Sequence, residues 1–275
     1  MSYKTLMVHL HIGHSNAAVL EVTRDIAERL DAKVIGIMVG QQTQMIYGRG
    51  YAVLDFFDRE DAQIAQRITE TEALFRDAFK GFVNNVEWRS TVTREPMANY
   101  IVAEAGIADL IIMGVSLSDF YEGPAGVNAG EIMMQSGRPI LAVPVITEKL
   151  ILNNILVGWK DTREARRAIA DALPLLKLAK QVNIVEIASE TEMIAADKRL
   201  DDVVKWLSCH DIDADYEVHP STGDDAAQFI SIANQRNAKL IVAGAYGHSR
   251  LREWALGGVT NELLQQSELC CLFSH

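Results

Sequence analysis

The chain reads twice. Ala103, Ala108, Leu110 and Gly114 recur 130 residues later as Ala233, Ala238, Leu240 and Gly244. In both places the glycine closes a nearly unbroken apolar run, Leu110-Ile111-Ile112-Met113 and Leu240-Ile241-Val242-Ala243. A fixed offset held over several positions indicates duplication. The order of elements repeats with it. Leu6 to Leu10 reads as a short apolar strand, and Ala17 to Leu30 as a helix with Ala17, Leu20, Val22, Ile26, Ala27 and Leu30 on its buried stripe. Lys33 to Val39 is a second strand. In the later copy Asn154 to Trp159 is a strand, Thr162 caps a helix that runs toward Lys180, and Asn183 to Ile187 is the next strand. Pro174 predicts a kink or break in that helix.

Each copy continues alike. Helical spacing marks Ile64, Ile68, Phe75, Phe79 and Phe82 in one and Leu200, Val203, Val204 and Leu207 in the other. Third strands follow at Val86–Val92 and Ala214–His219. A helix and the glycine-closed apolar run come next. Pro139–Val143 and Cys271–Ser274 are the closing strands. Strands that alternate with helices and are apolar on both faces predict parallel sheets covered by helices. The boundary falls near Thr147-Glu148-Lys149, which gives domains 1–147 and 148–275 joined by a short linker.

Composition narrows the partners. Lys and Arg number 26 against 37 Asp and Glu, a net charge of -11. With no basic block, the chain is not expected to bind nucleic acid or an anionic membrane surface. No apolar run approaches the ~20 residues that span a bilayer, and the first residues are apolar too briefly for a signal peptide. A cytoplasmic location is the expectation. Cys209, Cys270 and Cys271 form no C-x-x-C motif. Cys270 and Cys271 are adjacent in a strand and should point to opposite faces as small apolar side chains.

Gly244 to Thr260 carries the chemistry. The segment starts where a buried strand ends and finishes before a helix-compatible stretch at Asn261 to Gln266. Strand, glycine loop and helix N-terminus make a phosphate cradle. Glycines let backbone amides approach oxygen without a Cβ in the way, and the helix start favours anions. The Thr260 hydroxyl adds a donor. Glycines that only shape a tight loop, or a different anionic ligand, are the alternatives. In the first copy Leu117 stands where the second has Gly247. A leucine there obstructs phosphate and supplies no donor, so no equivalent nucleotide site is expected in that half. A reshaped pocket for another ligand is the alternative.

The spacing of Gly244, Gly247, Gly257 and Gly258 resembles the nucleotide-binding signature of the universal stress protein family, and the tandem order resembles its two-domain members. The resemblance implies two Rossmann-like domains, each a five-stranded parallel sheet with helices on both faces, paired through the last strands. It implies ATP or ADP, with or without Mg²⁺, in the second half. Ala243 and Gly244 would then lie near base and ribose, and Ile187 against adenine. Gly247, Gly257, Gly258, Val259 and Thr260 would cradle the phosphates. Within the same loop, His248 or Arg250 either touches phosphate or faces water. Two departures stand out. Gly258 occupies a place where the family commonly has Ser or Thr. Lys160 occupies that of the family's acidic residue, with Asp161 and Thr162 following. Lys160 then pairs with a phosphate, or Asp161 takes the ribose. The resemblance implies a nucleotide-binding stress-response or signalling module. Its rivals are an interaction protein without nucleotide and a slow ATPase. No catalytic motif is present: there is no G-x-S-x-G, no H-E-x-x-H and no P-loop Lys-Ser/Thr. The halves are expected to pair within one chain, and a dimer of such chains is the further alternative.

Weaker features remain. His9, His11 and His14 form H-x-H-x-x-H, with His9 and His11 expected on one strand face. Strand-end histidines are the expectation and a metal site the rival. Gln41 to Asp58 reads as a long insertion, either a cover over a neighbouring site or a surface loop. Met133 and Met134 read as core, and Cys209-His210 as a helix end.

Overall fold

Strands whose side chains are apolar on both sides can be stable only inside a sheet covered on both faces. The computed structural model has that arrangement. It describes residues 2–42, 52–115, 127, 129–245, 263 and 268–275, with backbone alone for 52–58. The first half runs β1 (Thr5–His9), α1 (Ala17–Leu30), β2 (Lys33–Gln41), α2 (Ala52–Phe79), β3 (Val86–Thr93), α3 (Met97–Glu104), β4 (Leu110–Val115), α4 (Ala129–Ser136) and β5 (Ile140–Pro144). The second runs β6 (Asn154–Gly158), α5 (Arg163–Leu176), β7 (Gln181–Ala188), α6 (Met193–Ser208), β8 (Ala214–Pro220), α7 (Asp225–Gln235), β9 (Leu240–Gly244) and β10 (Cys270–Ser274).

All these strands form one ten-stranded sheet in the order β3-β2-β1-β4-β5-β10-β9-β6-β7-β8. Each half contributes a parallel five-strand order, 3-2-1-4-5 and its copy 8-7-6-9-10. The two meet where β5 and β10 pair antiparallel, with Leu141 opposite Leu272. In each half the chain reverses its progress across the sheet beside the first strand, between β1 and β4 and between β6 and β9. Such a switch point opens a crevice beyond the carboxyl ends of the strands.

One core layer lies under α1, α2, α5 and α6, with Ile26, Phe75, Phe79, Leu176 and Leu200 on strand residues such as Val8, Leu141 and Leu272. It runs unbroken across the antiparallel seam. The other lies under α3, α4 and α7, with Ile101, Met133 and Phe229 on Met7, Ile111 and Phe273. Cys270 belongs to the first layer and Cys271 to the second, as strand alternation requires. Contacts between helices and the opposite half add to the seam. The Tyr3 hydroxyl donates to the Asp171 carbonyl of α5, and Arg167 donates to the Gly137 carbonyl at 2.8 Å. No helix among the described residues is long and apolar enough to cross a membrane.

Several local expectations change. α5 runs through Pro174 to Leu176 without a break. The proline sits in the last turn, and the i−4 residue to which it cannot donate is the solvent-exposed Ala170. The stretch expected as one insertion from Gln41 to Asp58 is shorter, because β2 includes Gln41 and α2 starts at Ala52. Ala17 is exposed at the first position of α1. Met133 is buried but Met134 is 38% exposed. Phe82 lies beyond the end of α2, half out in solvent under the Arg24 guanidinium.

Candidate functional site

The carboxyl ends of β9, β6 and β7 lie side by side, with Gly158 opposite Ala243 on one flank and Val185 on the other. Their loops therefore open into one crevice. β6 ends at Gly158, where a Cβ would come within 2.9 Å of the Phe229 ring of α7. The chain then passes Lys160 and Asp161 and turns into α5. The Thr162 hydroxyl accepts from the Ala165 amide at 3.3 Å, the N-cap that the sequence predicts. Lys160 is exposed. Asp161 is also exposed and is engaged, its Oδ1 2.5 Å from Arg166. Ile187 lies half-buried near the end of β7. Ala243 is buried at the end of β9. The structure thus gathers Lys160, Asp161, Thr162, Ile187, Ala243 and Gly244 at adjacent strand ends.

Gly244 has a role that the sequence does not reveal. A Cβ there would fall 2.5 Å from the Ala165 amide nitrogen and 2.6 Å from the Glu164 carbonyl carbon. Only a glycine lets β9 approach the first turn of α5 this closely. The strand-end register is tied down next to it: the Ala245 amide donates to Ser274 O at 2.9 Å, and His275 Nδ1 meets the Ala245 carbonyl at 3.1 Å. Gly247, His248, Arg250, Gly257, Gly258, Val259 and Thr260 lie outside the described residues, as does Leu117 in the first half.

Two charged features escaped the sequence patterns. Glu164 is buried in the first turn of α5. Burial pushes its carboxyl up, but its own backbone N–H, the Arg163 guanidinium 2.9 Å away and His275 together hold it below the usual carboxylate range. This places a carboxylate at a helix N-terminus. Glu186 is 3% exposed on β7 and pairs with Arg199 of α6. That hydrogen bond, ahead of a burial effect in the other sense, raises the Arg199 guanidinium further. Among the described residues, the Glu186 Oε2, Arg199 Nε and Trp159 Nε1 atoms are buried without a hydrogen-bond partner. A period-two count through Asn183 to Ile187 would have put Glu186 on the face under α5 and α6, since Val182 and Ile184 share that layer.

In the first half, β1 ends at the buried His9. The His9 and His11 rings meet edge to face at 4.5 Å between centroids, and His11 and His14 at 5.9 Å. Burial, and next the neighbouring His11, push the His9 imidazole well below its usual range, so it stays neutral near pH 7. Among the described residues no group of three His, Cys, Asp or Glu side chains is placed to hold a metal ion.

Residues 152–272 match the model of the universal stress protein family. A search of curated proteins finds no match. Solved structures similar to the chain include a universal stress protein from Archaeoglobus fulgidus DSM 4304, 15% identical, with a TM-score of 0.77 over 98% of this chain and 95% of that one. A functionally unknown protein from Pseudomonas aeruginosa PAO1 is also 15% identical, with a TM-score of 0.63 over 99% of this chain and 92% of that one. These likenesses establish the fold over both halves.

Proposed function

From the match of residues 152–272 to the universal stress protein family model, we propose a nucleotide-binding module that takes one ATP or ADP in the crevice beyond β9, β6 and β7. The observation that carries this is the convergence of Lys160, Thr162, Ile187, Ala243 and Gly244 on one set of strand ends, directly before the spacing Gly244, Gly247, Gly257, Gly258. Ile187 and Ala243 offer apolar contact to a base, and the exposed Lys160 offers a cation to a phosphate. Backbone amides of Gly247, Gly257 and Gly258, with the Thr260 hydroxyl, would hold the phosphate tail. Asp161 is paired with Arg166, so a ribose contact from it requires that pair to open. Glu164 repels a phosphate brought close to α5, which favours the Lys160 side of the crevice for the tail.

The reading is of a site that binds nucleotide rather than one that turns it over. The working division is 1–147 for the partner half and 148–275 for the binding half, in a cytoplasmic protein that answers nucleotide levels in stress or signalling. Bound nucleotide would stabilise the native state according to its occupancy. Calorimetric titration of dialysed protein with ATP and ADP, with and without Mg²⁺, tests this. Saturable heat at one site per chain is expected, and Gly257→Val should weaken it at least tenfold. No heat with either nucleotide would leave an interaction protein as the better account. Phosphate release that falls with Gly257→Val would instead make the site an ATPase.

A further inference from the structure

The other switch point also opens into a cavity. The carboxyl ends of β1 and β2, the inner side of α2 and the start of α3 enclose about 290 Å³. Its floor includes Val39 and Ile64, and its polar lining includes His9, Gln41, Glu60 and Arg67. Glu60, Ile64 and Arg67 recur at i, i+4 and i+7, so one face of α2 supplies an ordered row of side chains. Arg67 lies beside the imidazole row: a Cβ on Gly13 would have Arg67 Nη1 as its near neighbour at 3.7 Å.

Among the described residues, Nδ1 of His9, a residue 1% exposed, and Oε1 of the half-buried Gln41 are buried in this lining with no hydrogen-bond partner. A buried acceptor left unmatched costs about 1–3 kcal/mol, so such atoms favour an occupant that donates to them. In the tautomer that keeps its proton on Nε2, His9 presents Nδ1 as an acceptor, as Gln41 presents Oε1. Arg67 supplies a planar pair of donors that matches a carboxylate. Its charge is balanced by Glu60 in the same lining and His9 is neutral, so one negative charge fits the cavity better than a polyphosphate does. The described residues do not assemble a metal site there.

We propose that this cavity binds a small carboxylate bearing a hydroxyl or amino group next to its carboxyl carbon. The carboxylate would rest on Arg67, and the adjacent donor would reach His9 Nδ1 and Gln41 Oε1. The site is separate from the nucleotide crevice of the second half and does not depend on it.

The experiment follows the imidazole nitrogens of the full chain by long-range ¹H–¹⁵N correlation after ¹⁵N-histidine labelling. The probes are L-lactate, glycolate and L-serine, with inorganic phosphate and ADP as parallel arms. Saturable movement of the His9 signals with at least one of the three carboxylates is expected, at least tenfold weaker in Arg67→Ala and in Gln41→Ala. Arg67 is exposed, so its truncation leaves the fold intact and decides the matter alone should Gln41→Ala unfold. Three outcomes overturn the proposal. They are no movement with any carboxylate, equal movement in Arg67→Ala, or movement of His9 by phosphate or ADP in place of the carboxylates. ADP that moves other histidines and leaves His9 still supports it, because the two sites are then distinct.

Discussion

Gly114 and Gly244 hold the same place in the repeat, yet their surroundings differ. At Gly244 an added methyl would meet the backbone of Glu164 and Ala165 at about 2.5 Å, whereas at Gly114 no described residue lies within 4 Å. Backbone in a packed helix cannot step aside as a flexible side chain can. Gly244→Ala should therefore lower stability by about 1–3 kcal/mol in urea unfolding. Gly114→Ala should change it by no more than about 0.5 kcal/mol. Equal effects at both would contradict the close approach of β9 to α5. The sequence shows that a glycine closes each apolar run, and at Gly244 it invites a ligand as the reason. It cannot show that one glycine faces a helix start, because that neighbour lies some 80 residues away along the chain. Cys270 and Cys271 were legible for the opposite reason: strand alternation is local, and it alone sends them into different core layers.

Elements with strong local signals stand where the pattern puts them. The predicted α1 begins and ends as observed, at Ala17 and Leu30. It stops because Asp31 takes a left-handed conformation at φ 50°. Thr162 caps α5 because a hydroxyl at that position can accept an amide of the first turn. Thr162→Ala should cost about 1 kcal/mol, read as a lower urea midpoint with an unchanged slope. A silent outcome would mean that solvent serves the Ala165 amide equally well. Where a signal was ambiguous, the expectation was less accurate. Pro174 looks like a breaker by composition, but two residues from the end of a helix it removes only a bond to the exposed Ala170. The start of α2 was missed because the glycines and tyrosines before it outweigh its first apolar residues in any short window. Of the candidate site, the strand-end part is placed by these elements. Its paired Asp161 and buried Glu164 were not foreseen, because each depends on a partner set by the turn into α5.

The whole molecule is one sheet, and its halves share a core. The layer under α1, α2, α5 and α6 passes from Val8 and Leu141 to Leu272 and Leu240 without interruption. β10 is hydrogen-bonded to β5 as well as to β9. Neither half can lose its closing strand without exposing the other's core. Heating should therefore give a single transition, with calorimetric and van't Hoff enthalpies in agreement. Two resolved transitions would mean that the seam between β5 and β10 is weaker than its burial implies. The repeated order of elements was readable in the sequence from the offset alone. The layer that joins the copies was not, since no pattern within either copy records what the closing strand meets across the seam.

Because β5 and β10 run in opposite senses, the strands of one copy emerge where those of the other begin. The mouth beside His9 and the mouth beside Gly244 therefore look out from opposite rims of the same slab. Two visitors could dock at once without touching. Any message between them must travel as strain through the two central ribbons that both copies lean upon.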